Sequence, residues 1–454
     1  MPTPAPVPGP GRPVAPLTPV HGQPSTGSNA AADFLLQFKR TLLPYLIQRI
    51  NPQLLNNENQ ELLKQTIEQL IDEKLNADKI PIGKALRDKL INDVINEMVG
   101  FGPLEELLQD DRITEIMVNG AQKIYIEQAG KVTLSNVKFV DEASARRVID
   151  KILSPLGRRV DESSPICDAR LPDGSRVNVV IPPCALDGST ITIRKFSKNK
   201  LTIERLMEFK ALSRGMSLFL QCAVRGALNI VISGGTGSGK TTMLNALSNF
   251  IPNDDRIITV EDAAELQLMQ DHVVRLESKP PNIEGKGAIT IRDLVKACLR
   301  MRPDRIVIGE CRGGEALDML QAMNTGHDGS LTTTHANSPR EALARISTLV
   351  MMAGVELPEK AIKEQIAGAV HLFVQCSRLQ DGSRRITHIT EVQGMEGTTI
   401  TMQDLFVFEQ TGLTPEGKVK GVFRGRGIIP KCIEHLRAHG ENIPIEVFQT
   451  TMEV

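Results

Sequence analysis

The chain has 454 residues, 41% hydrophobic and 24% charged, with 53 lysines and arginines against 54 acids. That composition fits a globular protein of about three domains. A net charge of -1, no tryptophan and 3% aromatic residues argue against a chain built to neutralise nucleic acid or to stack single-stranded bases.

Nine prolines stand between Pro2 and Pro24. Proline has no amide donor and the stretch offers little to bury. Residues 1–31 therefore read as a disordered tail; a tether is favoured over a proline-rich ligand. This stretch has no apolar core of signal-peptide type, and the chain holds no run of 18 apolar residues. Neither a targeting segment nor direct membrane insertion is expected. Seven cysteines are scattered without a C-x-x-C pair, so no disulfide framework or zinc cluster is expected and a cytoplasmic location fits.

Residues 32–100 read as a three-helix bundle. Leu35, Phe38, Leu42 and Leu46 form one stripe, and Pro44 should kink or end that helix. Leu63, Ile67, Leu70, Ile71 and Leu75 form a second, and Leu86, Leu90, Val94, Ile95 and Met98 a third. Residues 101–200 read as an α+β domain. Strands are expected at Ile113–Val118, Lys123–Glu127 and Lys131–Leu134, and a helix at Glu142–Leu156. Further strands are expected at Arg170–Pro182, with an Asp173-Gly174 hairpin turn, and at Ser189–Phe196. Residues 201–215 read as a linker.

Residues 216–454 alternate strand and helix, the rhythm of a mostly parallel sheet. Asn229–Ser233, Ile257–Val260 and Arg305–Ile308 are apolar runs of strand length, and Val370–Cys376 should pair with Arg385–Val392. After the first run comes Gly234-Gly235-Thr236-Gly237-Ser238-Gly239-Lys240-Thr241, followed by Thr242 and a helical stripe. It matches G-x-x-x-x-G-K-[ST] in the strand–loop–helix context that motif needs. Glycines let the backbone close on phosphates, and the helix N-terminus faces the anion. Lys240 should reach the β- and γ-phosphates of ATP, and the Thr241 hydroxyl should ligate Mg²⁺.

Three further features follow strands. Glu261-Asp262 could orient an attacking water, or could be an acid pair at a helix N-terminus. Glu310 resembles a Walker B acid holding Mg²⁺ through water, although Gly309-Glu310 stands where an Asp is usual; a solvated loop acid is the other reading. His335 closes the run Leu331–Thr334 and could bond a γ-phosphate or a switch carboxylate, or be a satisfied structural histidine.

These four elements, in this order, resemble the secretion ATPase superfamily of type II secretion, type IV pili and type IV secretion. Finer wording resembles the tight-adherence pilus motor branch (CpaF/TadA-like). It rests on Val118-Asn119-Gly120, the stretch Arg170–Asn178, Ile193-Arg194-Lys195-Phe196, Gly309–Gly313, Asn324–Ser338 and Asp404–Gln410. The resemblance spans residues 80–454 and implies a RecA-like P-loop ATPase core of α/β class behind the α+β domain and the bundle. It implies a homohexameric ring docked on inner-membrane platform proteins, peripheral at that membrane; no nucleic-acid partner is expected, from the charge balance and the few aromatics. Glu261 takes the catalytic-base role, Glu310 the Walker B role and His335 the His-box role. Arg170, Arg176 and Arg194 become candidates to reach nucleotide phosphates, often across a subunit boundary. The four-cysteine zinc insert of some extension ATPases is missing. A type IV secretion traffic ATPase is the competing reading. A DNA translocase fits poorly with the charge balance, and a non-catalytic scaffold with the presence of both Lys240 and Glu261.

Overall fold

The computed structural model describes residues 28–51, 60–128, 130–196, 201–281 and 286–454. The chain divides into two units, Met1–Ser197 and Lys198–Val454.

In the first unit the three stripes form α1 (Ser28–Ile47), α2 (Gln60–Ala77) and α3 (Lys84–Met98). Leu42, Leu46, Ile67, Ile71, Leu90 and Val94 meet in one buried cluster, as residues three and four apart on one face must. Pro44 sits in the last turn of α1, which stops at Ile47. Residues 1–27 of the expected tail lie outside the described residues, and its last residues, from Ser28, already belong to α1. The run Ala30-Ala31-Ala32 has the highest intrinsic helix propensity. At the end of α3, Glu97 is buried and its carboxylate accepts from the Ser144 hydroxyl. Burial pushes the Glu97 carboxyl up, against the Ser144 bond that lowers it.

The same unit continues with α4 (Glu105–Gln109), β1 (Ile113–Asn119), β2 (Ile124–Gln128), β3 (Lys131–Leu134) and α5 (Glu142–Leu153). Then come β4 (Ile166–Arg170), β5 (Arg176–Val180) and β6 (Thr190–Arg194). They form a six-stranded antiparallel sheet in the order β3-β2-β1-β6-β5-β4. The turn expected at Asp173-Gly174 joins β4 to β5, but β4 begins at Ile166, before the stretch read as strand. It is an edge strand whose Ile166 is exposed, so it lacks the buried alternation that marks a strand in sequence.

The second unit opens with α6 (Ile203–Glu208) and α7 (Arg214–Arg225). The linker expected at residues 201–215 lies wholly within the described residues. This stretch is not a linker, because Ile203, Leu206 and Leu212 are buried in the same core as Phe219 of α7. After β7 (Ile230–Gly234) and α8 (Lys240–Ser248) come β8 (Ile257–Glu261), β9 (Val273–Glu277), α9 (Ile291–Cys298) and β10 (Arg305–Ile308). Next are α10 (Glu315–Asn324), β11 (Leu331–Thr334), α11 (Pro339–Met351) and α12 (Glu359–Ala369). The chain ends with β12 (Leu372–Arg378), β13 (Arg384–Glu396), β14 (Thr399–Leu413), β15 (Val419–Gly425), α13 (Ile433–Ala438) and β16 (Thr451–Glu453).

One ten-stranded sheet runs β16-β15-β14-β13-β12-β7-β11-β10-β8-β9. Strands β12 to β9 in that order are parallel to their neighbours. This is the expected RecA-like α/β class. Alternate residues of β7 face opposite cores: Ile230 and Ile232 pack with α7 and α8, and Val231 packs with the other face's helices. Both faces are covered, which is why the parallel strands read as continuous apolar runs. At the foot of β7, Asn229 is fully buried and bonds through both ends of its side-chain amide. Its amide group donates to Ala369 O at 2.8 Å, and its side-chain oxygen accepts from Ser330 N at 2.9 Å.

Candidate nucleotide site

The P-loop leaves β7 and enters α8. Gly237 and Gly239 have φ of +70° and +95°, a region that side-chain-bearing residues rarely adopt. Lys240 is buried, and its Nζ donates to Gly234 O and Gly235 O, both at 3.1 Å. The lysine thus folds back on its own loop. Burial pulls the Lys240 ammonium below its ordinary value, and the Glu310 charge pushes the other way.

Sheet order sets the rest. Strand β11 lies between the P-loop strand and β10, and β8 lies beyond β10. The C-terminal ends of these parallel strands line up, so the P-loop, His335, Glu310 and Glu261 come together. His335 Nδ1 lies 3.4 Å from Lys240 Nζ, and His335 Nε2 lies 2.8 Å from Glu310 Oε1. His335 is held below its ordinary value by burial first and by the Lys240 charge second, so the ring is neutral near pH 7. His335 Nε2 faces Glu310 Oε1, but that oxygen is buried without a hydrogen-bond partner.

On its other side Glu310 Oε2 accepts from Arg312 Nη2 at 2.7 Å, and Arg312 Nη1 lies 3.7 Å from Asp262. The glycines after Arg312 suggest a loose loop in sequence. Instead Glu315 Oε1 accepts from Arg312 N at 2.6 Å and Gly313 N at 2.8 Å, which fixes the turn. Arg312, which its flanking glycines set aside as part of a mobile loop, is thus a site residue, and Glu315 is one that motif reading passed over.

Glu261 is the last residue of β8 and 3% exposed. Its Oε2 accepts from Glu265 N at 2.7 Å and Leu266 N at 3.0 Å, and its Oε1 is buried without a hydrogen-bond partner. Burial is the main cause that raises this carboxyl above the ordinary range. Asp262 points away to solvent and accepts from Ser278 Oγ at 2.7 Å. No helix follows the pair, which removes the helix-terminus reading of Glu261-Asp262.

Two arginines not foreseen flank the P-loop. Strand β12 pairs with β7 up to Cys376 and Gly234 and then runs on to Arg378, opposite Arg384 of β13. Arg384 Nε donates to Gly237 O at 2.9 Å. Nothing in the local sequence says that β12 neighbours β7, so no signal marked these two.

The foreseen arginines lie in the first unit. Arg170 pairs with Arg176 across β4 and β5, and Arg176 pairs with Arg194 across β5 and β6. Arg194 in turn pairs with Glu115 of β1, with Nε 3.5 Å from the carboxylate. Directly opposed residues share a sheet face, so the three arginines form one row.

The model of the family described as "Type II/IV secretion system protein" matches residues 97–414. The chain belongs to this family. A putative conjugal transfer protein of Mycobacterium tuberculosis is 36% identical over 307 residues, covering 66% of this chain and 87% of that one. The VirB11 type IV secretion protein of Brucella suis is 33% identical over 319 residues, covering 64% and 88%. The solved structure of the Brucella suis VirB11 ATPase with sulphate superposes with a TM-score of 0.35 at 31% identity, covering 63% of this chain and 94% of that one. As a type II/IV secretion system protein with a complete P-loop, the chain is an ATPase. Among the described residues no helix of this family member is long and apolar enough to cross a membrane.

Proposed function

We propose that the protein is a hexameric motor that hydrolyses ATP to drive assembly, alone or together with retraction, of a tight-adherence or type IV-like pilus. It would work from the cytoplasmic side against inner-membrane platform proteins. The observation that carries the catalytic part is Glu261, a buried carboxylate with one unpartnered oxygen at the strand ends beside the P-loop. A raised carboxyl there is a competent base for a water proton.

In this reading Gly234, Gly235, Thr236, Gly237, Ser238, Gly239 and Thr242 cradle the phosphates, and Lys240 leaves its loop carbonyls for the β- and γ-phosphates. Water attacks the γ-phosphorus, its proton passes to Glu261, and the bond to ADP breaks. The donors fit Mg²⁺. The Thr241 hydroxyl and Glu310 carboxylate are hard oxygens, and among the described residues no cluster of three or more acids, histidines or cysteines could form a full protein cage. A metal that keeps waters and phosphate oxygens needs no such cage. When bound, Mg²⁺ neutralises charge on the β- and γ-oxygens. His335 reports phosphate occupancy to Glu310. The row Arg170, Arg176 and Arg194 supplies guanidinium groups to phosphates. Like charges on neighbouring strands repel, and a polyanion relieves that cost.

The motif wording supports the pilus pathway. The names of the relatives favour a second reading, a type IV secretion traffic ATPase that moves protein or DNA–protein cargo. Deleting the gene decides. Loss of surface pili with conjugation and effector transfer intact supports the pilus motor, and the reverse supports the traffic ATPase.

A further inference from the structure

The turn between β12 and β13, the turn between β14 and β15, and the residues after α6 enclose a cavity of about 970 Å³ that no P-loop residue lines. Asp381 ties the two turns together. Its Oδ1 accepts from Ser383 N at 2.9 Å and its Oδ2 from Val419 N at 2.9 Å. The carboxylate is thus spent on the backbone, and the walls are held by hydrogen bonds between distant segments.

The cavity gathers cations. Lys210, Arg385, Lys418 and Lys420 line it, against two acids, Asp381 and Glu453. The three lysines are exposed, and none forms an ion pair among the described residues. Arg385 is 8% exposed and also lacks an ion pair there. Its Nη1 donates to Phe209 O at 3.3 Å and to Arg384 O at 3.2 Å, while its Nε is buried without a partner. Burial pulls the Arg385 guanidinium below its ordinary value, and the Asp381 charge pushes the other way.

A buried cation without a paired counter-ion is costly, and an anion that enters beside it offsets that cost. The fork of a guanidinium is suited to the oxygens of a carboxylate or phosphate, and lysine heads bind phosphate as point charges. A cleft rimmed by one sign of charge also concentrates the opposite ion. The volume is that of a small-molecule site and exceeds what one phosphate group fills.

We infer that this cavity is an anion site, separate from the P-loop, for a phosphate-bearing ligand anchored by Arg385 and gathered by Lys210, Lys418 and Lys420. Soluble polyphosphates and phospholipid headgroups share that chemistry. An occupant would tie the end of α6 to both turns.

The test is calorimetric titration of the full chain with pyrophosphate, in the presence of AMP-PNP and Mg²⁺ so that the P-loop is already filled. Co-sedimentation with vesicles of phosphatidylglycerol and phosphatidylcholine, against phosphatidylcholine alone, is the second arm. The expected result is binding that the double variant Lys418→Gln/Lys420→Gln weakens about tenfold or more, and that Arg385→Gln weakens about a hundredfold. Both lysines are exposed, so the double variant keeps its thermal melt and decides the matter even where Arg385→Gln fails to fold. Pyrophosphate binding with that dependence marks a soluble ligand. Vesicle binding with it, and none of pyrophosphate, marks a headgroup. No binding of either probe, or binding that the lysine variant leaves unchanged, overturns the inference.

Discussion

Gly309 and Glu261 touch. A Cβ at position 309 would lie 3.0 Å from Glu261 Cγ and 3.5 Å from Glu261 Cβ. The two are neighbours because β8 and β10 pair in parallel, with Gly309 N donating to Val260 O at 2.9 Å. The glycine that replaces the usual acid before Glu310 thus makes room for the buried carboxylate. Gly309→Ala should displace the Glu261 side chain and lower kcat about 10- to 100-fold with KM for ATP little changed. Steady-state kinetics with a thermal melt to verify folding checks it; a wild-type kcat would show that Glu261 tolerates the methyl group.

Glu261→Gln should retain ATP binding and lose hydrolysis by about 10²- to 10⁴-fold, because an amide accepts no proton. The raised carboxyl also sets a sign for stability. A folded-state value above the unfolded one favours the protein below the unfolded value, about pH 4.3, and that benefit is lost as pH rises through the folded value. At pH 7 the buried charge therefore costs stability, and Glu261→Gln should gain about 0.5–2 kcal/mol. The gain should vanish near pH 4. Denaturant melts at both pH values measure it.

The same shift places the acid limb of the rate profile. Turnover should fall as pH drops through a value above the ordinary glutamate range, since the protonated Glu261 cannot take the water proton. A pH profile of kcat/KM whose acid limb sits at or below about 4.3 would assign the base elsewhere.

Lys240→Ala should abolish turnover by removing the phosphate cation. Arg312 acts through Glu310, so Arg312→Ala should lower kcat about tenfold and raise the Mg²⁺ concentration needed for half-maximal rate. Arg312→Lys should recover little, because one ammonium cannot span Glu310 and Asp262 as the fork does. Titration of Mg²⁺ against rate separates these variants from the wild type.

The arginine row predicts completion of the site by assembly. Arg176→Ala or Arg194→Ala should lower turnover about 10³-fold or more while ATP affinity changes little. Mixing inactive Lys240→Ala subunits with inactive Arg194→Ala subunits should restore activity if an arginine acts across a boundary. No rescue at any ratio would make each subunit self-sufficient.

Local chemistry was written in the chain. The P-loop, the strands before Glu261, Glu310 and His335, and the three helical stripes are periodic or contiguous signals, and hydrophobic burial turns each into its element without reference to distant residues. Tertiary structure alone decided what those elements meet. Arg170, Arg176 and Arg194 became one row through strand register, and Arg384 reached Gly237 because β12 happens to flank β7. Glu261 rather than Asp262 was buried because the end of β8 turns one side chain inward and the next to solvent. Residues 203–212 passed for a linker because their few apolar side chains have no partner until the core of the second unit closes over them. Pairing of strands far apart in sequence is set by the packing of whole layers, and no local pattern encodes it.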